Sequence, residues 1–550
     1  MVQTSNQPSG APTSQGAEKT HWSKLEEVEN EGRPAFLLTK TELKLLGIAG
    51  VGFFLDAYDL FIINPVATML QYRLYGGGHL PTNLEGFVKA GANIGSVIGQ
   101  FAFGYAADAL GRKAVYGKEL MLIILATILT MTTPTGSLSP EGSLIYLGIF
   151  RILLGVGVGG DYPMSASITS DRANLRKRGT MLAYIFSNQG WGSFVGSLAT
   201  IIVLACYKNV MEAGKTSKVD GVWRIVVGLS LIPAFATLYQ RLTLPESTRF
   251  EKSQELGREA NPEAGDEIAE LKRQQELKSD GVVDSSSGSL KKGSRDSTSD
   301  NHEAEVEEVV TKKAHLADFI RYFSEWRHLK LLIGTATCWF LLDIAFYGIN
   351  LNQNVVLQQI GFDGSSGTPW ERLFKISTGN IIVTALGFVP GYYATVLTIE
   401  KLGRKWIQIQ GFLITSLFLG ILAGMFHTLS KPAFIVNFAL LQFFFNFGAN
   451  TTTYCYPAEV FPTRYRAFAH GISAACGKAG AIISALAFNT LTKKIGTPAV
   501  LWIFFGCNIA GAAFTLLLPE VRDRDPDIIL AQEIEESRKM GQKNVTQARS

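Results

Sequence analysis

Charge is scarce in this sequence: only 18% of its 550 residues are Asp, Glu, Lys or Arg, and the formal net charge is +4. So small a surplus, with no basic stripe carrying interleaved aromatics, excludes a nucleic-acid-binding surface. Cysteine is sparse too. Cys206, Cys338, Cys455, Cys476 and Cys507 stand singly inside apolar runs, with no C-x-x-C and no flanking histidine, and read as small core residues. The seven histidines are dispersed, and neither a metal cluster nor a nucleophile–base arrangement is visible, so no enzyme activity, metal or cofactor is expected. Residues 1–42 lack a basic stretch followed by a short apolar one, so the N-terminus is expected to stay in the cytosol while the first span inserts as an anchor. Two N-x-[ST] sequons occur, at Asn450 inside an apolar run and at Asn544 in the expected cytosolic tail, where neither meets a glycosylating compartment.

What is abundant is apolar residues, 47% of the chain, and glycine, 55 in all. Runs of membrane-spanning length recur, and twelve spans can be drawn at about 43–68, 84–107, 114–133, 143–169, 179–206, 222–243, 328–351, 374–399, 406–427, 432–457, 465–491 and 498–518. An even number puts both termini on one side, together with loops 108–118, 170–180, 400–405 and 459–466. Those four loops hold twelve Lys/Arg, more than the alternate loops, and so mark the cytosolic side. The expected fold is an all-α membrane protein of two pseudo-symmetric six-helix bundles, 43–250 and 316–520. A cytosolic segment 1–42 precedes them, a tail 521–550 follows, and a Ser/Gly/Asp- and Glu/Lys-rich cytosolic linker, 251–315, divides them. The linker is expected to be partly helical near 263–278 and otherwise disordered. The halves echo one another: Asp108-x-x-Gly111-Arg112-Lys113 matches Glu400-x-x-Gly403-Arg404-Lys405, and Leu244-Pro245-Glu246 matches Leu518-Pro519-Glu520. Related halves are the pattern of a rocking transporter with its substrate near the midplane. The pairs Asp108/Arg112 and Glu400/Arg404 are read as latches holding one conformation rather than as ligand groups.

Polar residues inside apolar runs need a reason, because a carboxylate at mid-membrane costs roughly 2.5–3.5 kcal/mol on insertion scales. The stretch Gly155–Asp171 carries Asp161 and Tyr162, and Arg151, ten residues earlier on the same helix, is the expected partner of the acid. Asp56 and Asp59 lie three apart on one helical face, where like charges resist joint ionisation; one is a candidate proton carrier unless a basic group on a neighbouring span claims it. Asn188 reads as a helix-joining amide, whereas Gln189 is open to either that role or a ligand role. Trp339, Asp343 and Tyr347, spaced by four, form an aromatic–acid–aromatic stripe. Asn446 and Asn450 add amides, and Lys478 is a lysine deep in the second half. Lys478 with Arg151 gives the interior fixed positive charge, so the expected cargo is a small anion.

Gly159-Gly160-Asp161-Tyr162-Pro163-Met164-Ser165-Ala166 matches a G-G-D-Y-P-L-S-A signature, with Met164 in place of Leu and Asp171 where Glu is usual. On these residues the chain resembles the phosphate:proton symporter family of the major facilitator superfamily, in its fungal high-affinity inorganic phosphate transporter branch, over about 43–250 and 316–524. Pro245-Glu246-Ser247 and the Pro457–Arg466 motif resemble sugar porters equally. The resemblance implies proton-coupled uptake of inorganic phosphate by alternating access across the plasma membrane; the linker lies outside it, and its serines at 285–299, in a charge-mixed segment, are expected to serve cytosolic regulators. By similarity, Tyr162, Gln189, Trp339, Asp343, Tyr347, Asn450 and Lys478 hold phosphate, and Asp56, Asp59 and Asp161 handle protons. The alternatives are a proton-coupled sugar or other small organic solute symporter, whose site lacks a central lysine–acid pair, and a phosphate receptor that binds without transporting.

Overall fold

The computed structural model describes residues 34–253 and 316–549, except 363 and 365. Most of segment 1–42 and all but the first three residues of the expected linker, including the stretch near 263–278, lie outside the described residues. Residues 248–253 form a short helix, so the boundary drawn at 251 falls inside a structured element.

Among the described residues every regular element is helical. Twelve long helices follow in order: α1 (Lys40–Tyr75), α2 (Thr82–Leu110), α3 (Arg112–Met131), α4 (Pro140–Arg172), α5 (Leu175–Cys206), α6 (Val219–Leu242), α7 (Trp326–Asn350), α8 (Pro369–Leu402), α9 (Arg404–Gly424), α10 (Lys431–Val460), α11 (Arg466–Ile495) and α12 (Thr497–Thr515). A tail helix, α13 (Pro526–Arg549), follows. Starts are set by local chemistry. Thr39 and Glu42 form a capping box at α1, Thr368 and Glu371 form another at α8 with Pro369 inside the first turn, and Ser139 and Ser430 cap α4 and α10.

Eleven of the twelve are long and apolar enough to cross a membrane. The exception is α2, which has the length, at 29 residues, but carries buried Lys89, Asn93 and Gln100. Its place in the bundle accounts for that composition. On one side Gly95 and Gly99 lie against the Ile152 and Val156 carbonyls of α4, while Gly155 and Gly159 of α4 lie against the Ala92 and Ser96 carbonyls of α2; a methyl group at any of the four would overlap backbone. On another side Gly104 meets the Ala467 carbonyl of α11, and Gly471 of α11 meets that of Gln100. With small residues on both seams the backbones approach closely, and Lys89, Asn93 and Gln100 are buried against neighbouring helices while Ile98 and Phe101 face outward. The halves α1–α6 and α7–α12 thus meet along α2–α11, and again along α5–α8.

The seam predicts an inversion of helix propensity. Gly95→Ala should lower the unfolding midpoint of the detergent-solubilised protein, because overpacking costs about 1–3 kcal/mol, against the ~1 kcal/mol that alanine gains over glycine in a helix. Gly506→Ala, on α12 with open space around it, should not lower it. Equal midpoints for the two variants would contradict the close α2–α4 approach.

Candidate functional site

Seven helices bring polar groups to one point between the halves, and Tyr162 of α4 is at its centre. Its hydroxyl donates to Asp56 Oδ2 of α1 at 2.5 Å and accepts from Gln189 Nε2 of α5 at 2.7 Å and from Lys478 Nζ of α11 at 3.3 Å. Gln189 Nε2 also donates to Asp56 Oδ2 at 3.0 Å, while its Oε1 accepts from Tyr392 of α8 at 3.2 Å. Tyr392 in turn accepts from Asn450 Nδ2 at 2.9 Å, and Asn450 donates to Asn446 Oδ1 at 2.7 Å within α10. Lys478 closes the circuit, donating to Tyr347 Oη of α7 at 2.6 Å with its ammonium 4.5 Å and 4.8 Å from the Tyr347 and Tyr162 ring centroids. All these side chains are buried.

Local backbone features aim them. Pro163 lies inside α4 directly after Tyr162, and a turn at Phe447–Gly448 interrupts α10 between Asn446 and Asn450. Gly448 there packs against Gly411 of α9. Trp339 leans on Tyr162, with centroids 6.2 Å apart, over the space left by Gly477.

The network therefore unites five of the seven residues singled out for substrate with Asp56, Trp339 packs on its central ring, and Asp343 lies one turn from both Trp339 and Tyr347 on α7. Lys478 donates to phenols, not to a carboxylate. Asp343 Oδ2 and Asp56 Oδ1 are buried without a hydrogen bond. One ammonium, two carboxylates with an unused oxygen each, and a ring of hydroxyls and amides suit a small anion that also carries O–H donors.

Two other expectations are corrected. Asp161 does not pair with Arg151. Its partner is Arg241 of α6, whose Nη1 bonds Asp161 Oδ1 and also Glu119 Oε1 of α3 at 3.2 Å, and whose Nε donates to the Ile48 carbonyl at 3.2 Å. Ser165 donates to the same Asp161 oxygen at 3.1 Å. Arg151 instead donates to the backbone carbonyls of Val88 and Asp59, at 3.0 and 3.2 Å, beside a small cavity lined by Asp59, Thr127 and Thr130 and away from Lys478. The reason is geometric: ten residues along one helix is about 15 Å, beyond side-chain reach, so each charge finds a partner on a neighbouring helix. Arg241, Glu119 and Tyr392 escaped the sequence reading. Arg241 had the same signal as Arg151, a cation within an apolar run, but so near the helix end a long cation is expected to reach outward.

At the end of the bundle bearing the Lys/Arg-rich loops, the ion pairs Asp108–Arg112 and Glu400–Arg404 form, and each touches the other half. Arg112 meets Asp108 at 3.0 Å and Asp171 at 3.4 Å, and donates to the Thr463 carbonyl of the other half at 2.8 Å. Asp108 accepts from the backbone amides of Ala467 and Phe468, at 3.2 and 2.8 Å, at the start of α11. Arg404 meets Glu400 at 2.7 Å and both Glu459 oxygens at 2.7 Å, and Glu400 accepts from the Thr180 amide of α5 at 2.8 Å.

The Arg241 cluster carries a stability prediction. Arg241→Ala leaves Asp161 and Glu119 buried without their cation and should destabilise the protein by about 3–5 kcal/mol. Adding Asp161→Asn and Glu119→Gln should return part of that loss. A midpoint unchanged by Arg241→Ala would remove the cluster from the fold's supports.

The family model described as "Sugar (and other) transporter" matches residues 45–525. A Schizosaccharomyces pombe protein provisionally named an inorganic phosphate transporter is 46% identical over 92% of this chain and 90% of its own. The inorganic phosphate transporter PHO84 of Saccharomyces cerevisiae is 38% identical over 90% of this chain and 85% of its own. The solved structure of the major facilitator proton:xylose symporter XylE superposes with a TM-score of 0.63 at 18% identity, covering 88% of this chain and 98% of that one, which establishes a shared fold. With the matched family model spanning both halves, the chain belongs to the sugar (and other) transporter family, and its fold is that of a major facilitator structure.

Proposed function

We propose that this protein carries inorganic phosphate across a membrane together with protons, by alternating access between its two halves. The relatives' names support the cargo, and the observation that carries the reading is the position of Lys478. It sits at the seam between a phenol of each half, Tyr162 and Tyr347, with Asp56 joined to the first phenol and Asp343 on the same helix as the second. Dihydrogen phosphate both donates and accepts. Its P–OH can be accepted by Asp343, while its anionic oxygens take donors from Lys478, Tyr162, Tyr347, Gln189 and the Trp339 indole, with Asn450 holding Tyr392 and Gln189 in place. A sugar has no charge for Lys478 to answer.

Proton carriage falls to Asp56, whose second oxygen is unused, with Asp59 beside it on α1. Asp161 is already neutralised by Arg241, so we assign it to positioning Tyr162 rather than to loading a proton. Dihydrogen phosphate moving with one proton transfers no net charge. Each further proton adds about 2.3 kcal/mol of drive per 100 mV. We place the protein in the plasma membrane with both termini cytosolic, a reading supported by the Lys/Arg-rich loops that share the tail's end of the bundle.

In proteoliposomes, Lys478→Ala and Asp343→Asn should each weaken phosphate binding by at least about tenfold, the ~1.5–3 kcal/mol of a charge-assisted hydrogen bond. Near-normal affinity in both would move the anion site elsewhere. Asp56→Asn should exchange phosphate across the membrane yet fail to accumulate it against a gradient. Proton-driven accumulation persisting in that variant would take the proton off Asp56, while saturable binding without any flux in the unaltered protein would favour a receptor.

A further inference from the structure

A second site lies far from the Tyr162 network. Between the start of α7, the ends of α10 and α12 and the tail helix α13 there is a cavity of about 420 Å³. Arg327 and Lys330 of α7, Lys405 of α9 and Arg524 of the turn before α13 line it, with Glu459 and Glu533 as its carboxylates. Both carboxylates are engaged: Glu459 by Arg404, and Glu533 by Arg327 at 3.2 Å and His328 at 3.5 Å. Lys405 reaches the Leu516 carbonyl at 3.4 Å, and Lys330 and Arg524 make no ion pair among the described residues. The cavity therefore keeps a surplus of positive charge.

Its other wall is apolar, formed by Leu516, Leu517, Leu518 and Ile529. Leu516 is 65% exposed, and Trp326, in the first turn of α7, is 66% exposed. An exposed tryptophan and leucine at the ends of two spanning helices mark the level of the membrane interface. The opening thus offers cations to an anion and an apolar rim to acyl chains. We propose that this cavity binds the phosphate-bearing headgroup of an anionic phospholipid, drawn from the leaflet at this end of the bundle. The chemistry recognised is a phosphate ester, and the apolar rim points to the lipid as its source. Occupancy bears on the seam between the halves, because Glu459 of the wall holds Arg404, whose other partner Glu400 accepts from Thr180 of the first half, and Asp527 of α13 accepts at 2.6 and 2.7 Å from the amide and hydroxyl of Thr463, whose carbonyl takes Arg112 of the first half.

The test is thermal unfolding of the full chain in detergent with short-chain phosphatidylinositol phosphate, short-chain phosphatidylcholine, a tail-less inositol bisphosphate or inorganic phosphate. The phosphoinositide should raise the midpoint saturably by a few degrees and phosphatidylcholine should not. The shift should survive Lys478→Ala, keep its size in Lys330→Arg, and largely disappear in the double variant Lys330→Ala/Arg524→Ala. These residues lie at the cavity edge, so the double variant should keep the unliganded midpoint and its response to inorganic phosphate, which acts at Lys478. A phosphoinositide shift unchanged by the double variant, or matched by phosphatidylcholine, overturns the site. A full shift from the tail-less bisphosphate overturns the lipid as its source, and loss of the shift in Lys478→Ala would assign it to the transport site.

Discussion

A charge inside a membrane-spanning bundle has no water to answer it, so each must be matched by a group on another helix, and that requirement organises this structure. Lys478 of α11 finds two phenols, one from each half. Tyr162 carries the connection onward to Asp56 and Gln189, and Gln189 to Tyr392 and Asn450. The result is a polar circuit whose members belong to both halves and whose continuity depends on how the halves sit. A group binding at Lys478 must displace or complete phenol contacts from both sides, which links occupancy of the centre to the relative position of the bundles.

The same rule applies at the end of the bundle bearing the Lys/Arg-rich loops, where the internal repeat makes the comparison direct. Asp108, Arg112, Asp171 and Arg466 in one set correspond by motif to Glu400, Arg404, Glu459 and Arg178 in the other. In the first set Asp171 forms ion pairs with both Arg112 and Arg466, and accepts a hydrogen bond from Arg466. In the second, Arg404 takes both oxygens of Glu459, and the Arg178 guanidinium is buried without a hydrogen bond among the described residues. Pseudo-symmetric sequence thus yields unequal ion-pair sets: Asp171 is paired with one cation of its own half and one of the other, while Glu459 is saturated within its own half. The tail adds to the first, since Asp527 also faces Arg466 at 3.8 Å and bonds Thr463.

The acids and bases of the interior were legible because a charged residue in an apolar run stands out whatever its neighbours; Asp56, Asp161, Asp343 and Lys478 all announced themselves in this way. Their pairings were not. Arg151 and Asp161 share a helix and a motif, yet the cation that meets Asp161 is Arg241 of α6, which also pairs with Glu119 of α3. Tyr392 looked like one more aromatic in an apolar span until packing put its hydroxyl between Gln189 and Asn450. The polar helix α2 was legible as a span by its length, but the reason for its composition lies in the glycine seams with α4 and α11.

The sequence by itself determined the number and order of the spans, the internal repeat and the residues that cannot face lipid, because hydrophobic length, motif spacing and the cost of a buried charge are local properties of a chain. Tertiary structure alone decided which cation answers which acid, which carboxylate oxygens are left to accept, and where a cavity opens beneath α13. Those outcomes depend on distances between helices remote in the chain, such as the 2.6 Å from Lys478 to Tyr347, and spacing along one helix does not encode them.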